Sequence, residues 1–185
     1  VEDIMEISTT PIVLSHSGVK ALYDHPRNIP DDLLRRVAEN GGVIQMNALG
    51  SYIENLESPA ERTTALEELA ASYEGRSPFD LTDEERKQYM ARRGEIDSAY
   101  PMPLSSFEVF MEQMLYALEI VGPEHVGMGA DWDGGGGVAG MEDVSLLPKV
   151  TERLLEEGYT EADLENIWGG NLLRIMRQAE AAKAQ

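Results

Sequence analysis

Pro11-Ile-Val-Leu-Ser-His16 is an apolar run that stops on a histidine, and two further runs in the chain end in the same manner. Gly42-Val-Ile-Gln-Met-Asn47 ends on an amide, and His125-Val-Gly-Met-Gly-Ala-Asp131 ends on a carboxylate. Short runs rich in Val, Ile, Leu and Met are what strands buried on both faces of a parallel sheet require. In parallel α/β folds the C-terminal ends of the strands share one rim, and chemistry collects there. The fold class is therefore read as α/β, with His16, Asn47 and Asp131 delivered to one mouth.

Working outward, strand-like and helix-like segments alternate. A polar connection from Ser17 to Pro30 leads to a helix over about 31–39, whose apolar Leu33, Leu34, Val37 and Ala38 fall on one face. Asn40-Gly41 supplies its stop, and the second run begins at once. A strand–helix–strand unit of this kind implies parallel pairing through a right-handed crossover. The gap from Asn47 to the third run is about 80 residues, far more than one crossover needs. Residues 57–103 are read as an inserted helical excursion over the barrel mouth, either a lid or surface decoration. Within it, Ser58-Pro59-Ala60-Glu61 predicts a serine cap with proline at the first helical position. Thr82-Asp83-Glu84-Glu85 predicts a capping box, and Gly94 is read as a break. The crossover helix proper starts at Ser105-Ser106-Phe107-Glu108 and carries Phe110, Met111, Met114 and Leu118 at core-facing spacing. Later helices are predicted near 146–157, after a Thr160 cap, and over 172–185.

Composition narrows the function classes. The 185 residues suit one domain with a substantial core. Fifteen Lys and Arg against 34 Asp and Glu give a net charge of −19, which argues against nucleic acid and anionic membrane as partners. With no cysteine, any metal must be held by His and carboxylate. No apolar run approaches the roughly 20 residues that span a bilayer, so no membrane anchor is read in this chain. Val1 opens the chain without a charged leader, which predicts a processed or partial chain and leaves the compartment open.

His16 and Asp131, each ending a predicted strand, suit a divalent metal that activates water. Arg27, eleven residues after His16, lies in the connection that runs over the strand ends, where a guanidinium can hold a substrate carboxylate by two hydrogen bonds. His25 in its loop and His125 before the third strand are read as structural, and Asp133 as a turn former. Gly134 to Gly137 lack the Lys and Ser/Thr of a phosphate loop.

Taken together, Pro11–Ser17, Asp24-His-Pro-Arg-Asn-Ile-Pro-Asp-Asp32, Glu39–Asn47, His125–Gly134 and Gly169-Gly-Asn-Leu-Leu-Arg174 resemble the membrane (renal) dipeptidases, peptidase family M19. The blocks occur in the family's order and span most of the chain outside 57–103. The resemblance implies a (β/α)8 barrel that binds two zinc ions and hydrolyses dipeptides to free amino acids. It implies His16 as a ligand of one zinc, Arg27 as the group that holds the substrate's C-terminal carboxylate, and Asp131 as the residue that contacts substrate and shuttles the proton. Asn47 and Tyr52 align with residues lining the pocket.

The family's other metal ligands have no counterpart in this sequence, so the expectation is the C-terminal part of a TIM-type barrel, roughly three of eight strands. Such a piece supplies one zinc ligand. It needs a complementary N-terminal half, from its own gene or from a partner chain, and a homodimer stays open. The competing expectation is a non-catalytic fragment or pseudoenzyme that acts as a binding or assembly module.

Overall fold

A computed structural model describes residues 1–183 of the chain. The chain divides into two compact units, one built from Val1–Asn55 with the chain from Leu104 onward, the other from Leu56–Pro103.

The larger unit opens with a short helix, α1 (Glu2–Ile7), followed by β1 (Val13–Ser17), α2 (Asp31–Glu39) and β2 (Val43–Met46). A one-turn helix, α3 (Gly50–Ile53), follows β2. Pro30 occupies the N-cap position of α2, and Asp31 and Asp32 in its first turn favour the start, because acidic groups complement the positive end of the helix dipole. It ends where Gly41 takes φ +80°, a left-handed conformation that costs glycine nothing. Arg174 closes this turn by donating from Nη1 to the Gly41 carbonyl at 2.7 Å.

The smaller unit holds α4 (Ala60–Ala71) and α5 (Asp83–Ala99). Ser58 is not the cap expected of it. No side chain caps α4, whose N-cap position is Pro59, and the Ser58 hydroxyl instead accepts from Thr63 Oγ1 at 3.1 Å. Gly94 likewise does not break α5, which runs through it, because an exposed helical glycine weakens a helix by only about 1 kcal/mol against alanine. Arg62, 6 % exposed, ties the two helices by donating to Asp97 Oδ1 at 2.6 Å and to the Tyr100 carbonyl at 2.9 Å.

The capping box of α5 is present: Thr82 Oγ1 accepts the Glu85 amide at 3.3 Å, and Glu85 Oε2 accepts the Thr82 amide at 2.9 Å. Arg76 adds a charged donor at 2.7 Å. The Arg76 hydrogen bond and then the Thr82 donors hold the Glu85 carboxyl at about 2, well below the ordinary carboxylate range. A carboxyl held low in the folded state stabilises it above the unfolded value, and that contribution is lost as pH falls towards about 2. Glu85→Gln is therefore expected to lower the stability of this unit at neutral pH and to flatten its acid titration below pH ~4.5. Thermal melts of both proteins across that range check it.

Returning to the larger unit, α6 (Phe107–Val121) leads into β3 (Val126–Met128). Ser106 caps α6 through Val109 N–H at 3.2 Å. After β3 come α7 (Pro148–Glu156), α8 (Glu161–Glu165) and α9 (Asn171–Lys183), with a single wide turn at Asn166–Gly170 joining the last two. Thr160 and Asp163 form the capping box of α8. The predicted continuation to residue 185 lies outside the described residues.

The three strands form one parallel sheet in the order β1-β2-β3. β2 and β3 are shorter than their runs, because the glycines and polar residues at the run ends leave the strand, whereas β1 starts two residues into its run and extends one residue past it, to Ser17. One face of β2 and β3, through Ile44, Met46 and Val126, packs under α2 and α6. Leu34 and Val37 of α2 meet Phe110, Met111 and Met114 of α6 there, each side chain at most 1 % exposed. Burying side chains of this size is worth about 2 kcal/mol apiece, so this layer is the main support of the sheet. On the other face Gln45 stands beside Gly127, where an added Cβ would lie 3.5 Å from Gln45 Cγ.

Candidate active site

The register of β1 decides where its histidine goes. Leu14 pairs with Ile44 and Ser17 with Met46, so Ser15 and His16 together oppose the single residue Gln45. That is a β-bulge, which re-aims side chains and sharpens the local twist. His16 thus lies inside β1, which runs on to Ser17, rather than at its end.

Arg27 meets the re-aimed imidazole, with its Nη2 2.9 Å from His16 Nε2. A guanidinium can only donate, so Nε2 accepts. The ring proton then sits on Nδ1, which donates to Ser15 Oγ at 2.8 Å. Both residues line one open concavity of about 560 Å³, walled also by Val13, Leu14 and Asn28. Tyr52, Asn47 and Asp131 are not part of that wall.

Tyr52 nevertheless touches the arginine from α3, with Arg27 Cζ 5.6 Å from its ring centroid. The His25 ring stacks on Tyr52 at 4.4 Å and 24°, and Tyr23 stacks on His25 at 6.3 Å and 11°. The backbone beneath is tied in several places. Ser17 Oγ donates to the Arg27 carbonyl at 2.8 Å, and Asn28 Nδ2 donates to the carbonyls of Tyr23 at 2.9 Å and Tyr52 at 2.7 Å. His16, Arg27 and Tyr52 are therefore brought together.

Asn47 is fully buried, and its Oδ1 accepts the Leu49 amide at 2.6 Å. That bond shapes the turn leading into α3. Asp131 sits in the left-handed region at φ 60°, one of two non-glycine residues with positive φ among those described. Its carboxylate turns back over Gly134, where an added Cβ would lie 2.5 Å from Asp131 Oδ1. The loop beyond it is anchored by Gly137 N–H to the Ala48 carbonyl at 2.9 Å and by Ala139 N–H to Ser105 at 2.7 Å. Among the described residues no hydrogen bond joins Asp131 to the His16–Arg27 pair. His125 stays structural, with Nδ1 donating to the Gly42 carbonyl at 2.8 Å.

The model of one protein family, the membrane dipeptidases (peptidase family M19), matches residues 1–185. The chain belongs to the membrane dipeptidase family. It is 26 % identical to Dipeptidase 3 of Macaca fascicularis over 98 % of its own length and 28 % of that protein. It is 29 % identical to Dipeptidase aclJ of Aspergillus oryzae over 96 % of its length and 32 % of that protein. Among solved structures, the probable dipeptidase PvdM from Pseudomonas aeruginosa superposes with a TM-score of 0.69 at 30 % identity, over 96 % of this chain and 47 % of that one. The chain thus spans about a third of the length of these curated relatives.

Membrane dipeptidases being metallopeptidases, the donor set here can be tested against a metal. Among the described residues no group of three or more His, Asp or Glu side chains lies close enough to hold an ion. One imidazole does fit: His16 has its Nδ1–H tied to a serine, which leaves Nε2, the atom that accepts from Arg27, as the lone pair a metal would take. No helix among the described residues is long and apolar enough to cross a membrane.

Sequence reasoning did not find His25, Asn28 or the two serines flanking His16 as members of this site. The signal for His25 was available, since a side-chain acceptor two residues before a backbone N–H is the spacing of an Asx-type turn. Nothing in the sequence marks Asn28, which ties its own loop at Tyr23 to α3 at Tyr52.

Proposed function

We propose that this chain is the C-terminal part of a (β/α)8-barrel metallodipeptidase that hydrolyses dipeptides to free amino acids. The observation that carries the reading is the His16–Arg27 contact at 2.9 Å, on a parallel strand whose neighbours end at the same side. A metal-ligand type and a carboxylate-clamp type then stand side by side. Residues 57–103 are proposed as an insertion into that barrel, and the remaining strands and ligands as the contribution of a complementary N-terminal half.

In this reading His16 would hold one of two zinc ions, and zinc bound there would supply a Lewis acid for the scissile carbonyl and a water of lowered pKa. His16 Nε2 has one lone pair, so it cannot both accept from Arg27 and ligate a metal. With Nε2 given to a metal, the Arg27 guanidinium would be free to pair with the substrate's C-terminal carboxylate through two parallel hydrogen bonds. Asp131 takes the proton of the attacking water and returns it to the leaving amine. Tyr52 gives the clamp an aromatic flank, and Asn47 shapes the turn that carries Tyr52. A carboxylate held this way limits the substrate to two residues, since a longer peptide places its terminus out of reach.

Support for Asp131 at the same mouth comes from the sheet. An added Cβ at Gly129 would run into the Ser15 carbonyl oxygen, so the segment leading to Asp131 passes beside the one carrying His16.

The test supplies the complementary half by co-expression and measures zinc and hydrolysis of an unmodified dipeptide beside its C-terminal amide. Two zinc equivalents with turnover of the free acid are expected. Arg27→Ala should raise KM for the free acid about 30-fold, the loss of a charge-assisted pair, and erase its advantage over the amide. An assembled barrel with neither metal nor turnover defeats the enzyme reading. The second reading, a binding or assembly module, is favoured by the lack of a three-ligand group among the described residues. It predicts a stable, metal-free complex.

A further inference from the structure

Arg27 is exposed, on a loop rather than on a helix or strand, yet its guanidinium is aimed. An arginine side chain free on a loop loses about 2 kcal/mol of rotamer entropy when it clamps a ligand, so something must hold this one in advance. Its backbone is fixed from two directions. Ser17 Oγ donates to its carbonyl, and its amide N–H donates to His25 Nδ1 at 3.2 Å. The same His25 ring stacks on Tyr52, which flanks the Arg27 guanidinium. His25 also takes part through its main chain, donating to Tyr23 at 2.8 Å and accepting from the Asn28 amide at 2.9 Å.

We infer that His25 is a positioning residue of the arginine clamp, setting both the turn that carries Arg27 and the aromatic ring that flanks it. This rests on the reading of Arg27 as the carboxylate clamp. Because Nδ1 accepts, the ring proton sits on Nε2, and the imidazole acts as a flat acceptor with an aromatic face. No other common side chain supplies both. Asparagine offers an acceptor at the position of Nδ1 and forms the equivalent Asx turn, but has no ring. Phenylalanine offers the ring and no acceptor.

That difference makes the experiment. In the complete barrel, KM and kcat for an unmodified dipeptide and for its C-terminal amide are measured for His25→Phe, His25→Asn, Arg27→Ala and the parent protein. His25→Phe should raise KM for the free acid about fivefold, the loss of one modest hydrogen bond, with kcat within about twofold and the amide unaffected. His25→Asn should recover most of that loss. In this chain alone, amide hydrogen exchange at Arg27 should quicken in His25→Phe and stay slow in His25→Asn, a readout that needs neither metal nor turnover. If Arg27→Ala raises KM while His25→Phe leaves both KM and Arg27 exchange unchanged, His25 does not position the clamp and the clamp itself stands. If Arg27→Ala leaves KM unchanged, the clamp falls and the inference falls with it. A loss in His25→Phe that the amide substrate shares in full also overturns it, since general loosening does not single out the carboxylate.

Discussion

Replacing Asp131 with asparagine in the complete barrel is expected to lower kcat by about 10²- to 10⁴-fold while KM moves within about threefold. The substitution is unusually clean at this position. Asp131 holds φ 60°, a region that asparagine enters as readily as aspartate, so the backbone has no reason to move. The side chain lies against Gly134, whose missing Cβ leaves it room, and the amide has the shape of the carboxylate. What changes is the ability to accept and release a proton. Steady-state kinetics together with zinc content and a thermal melt separate a lost proton carrier from a lost metal or a lost fold. Near-normal turnover would remove Asp131 from the proton path and leave it as a turn former.

The second large effect concerns stability. Gly129→Ala should destabilise the larger unit by about 3 kcal/mol, because overpacking against backbone has no rotamer to relieve it. An added methyl would drive into the Ser15 carbonyl oxygen and stand 2.8 Å from Gln45 Cβ. Ser15 is part of the bulge in β1, so the displaced atoms are those that set the aim of His16. Chemical denaturation should show the lower midpoint with an unchanged slope. A variant as stable as the parent would mean that β1 can move away from β3 at little cost.

The parallel order of the strands was legible because a single crossover helix, α2, stands between two apolar runs with a glycine stop. Core residues of α6 were legible for the same reason, since a 3.6-residue period survives in the letters. The bulge at Ser15 and His16 was not. One extra residue in a ladder leaves no periodic trace, and its pairing partner, Gln45, is fixed only by the neighbouring strand. Ser58 fails as a cap although its spacing is right, because its hydroxyl is taken by Thr63 rather than by a backbone N–H. The pair of His16 and Arg27 was legible as two polar residues at one rim. Their direct contact was not, since it depends on the path of the 17–30 connection and on the Ser17 and Asn28 bonds that hold it.

The register of the sheet also orders its assembly in time. Val13 pairs with Val43, whereas Ile44 pairs with Val126, so the first pairing closes a loop of about 30 residues and the second one of about 80. Loop-closure entropy grows with the logarithm of length, and contacts distant along the chain are late to form. The β1–α2–β2 segment, with the Arg27 turn already inside it, should thus be the nucleus on which β3 and its aspartate settle last.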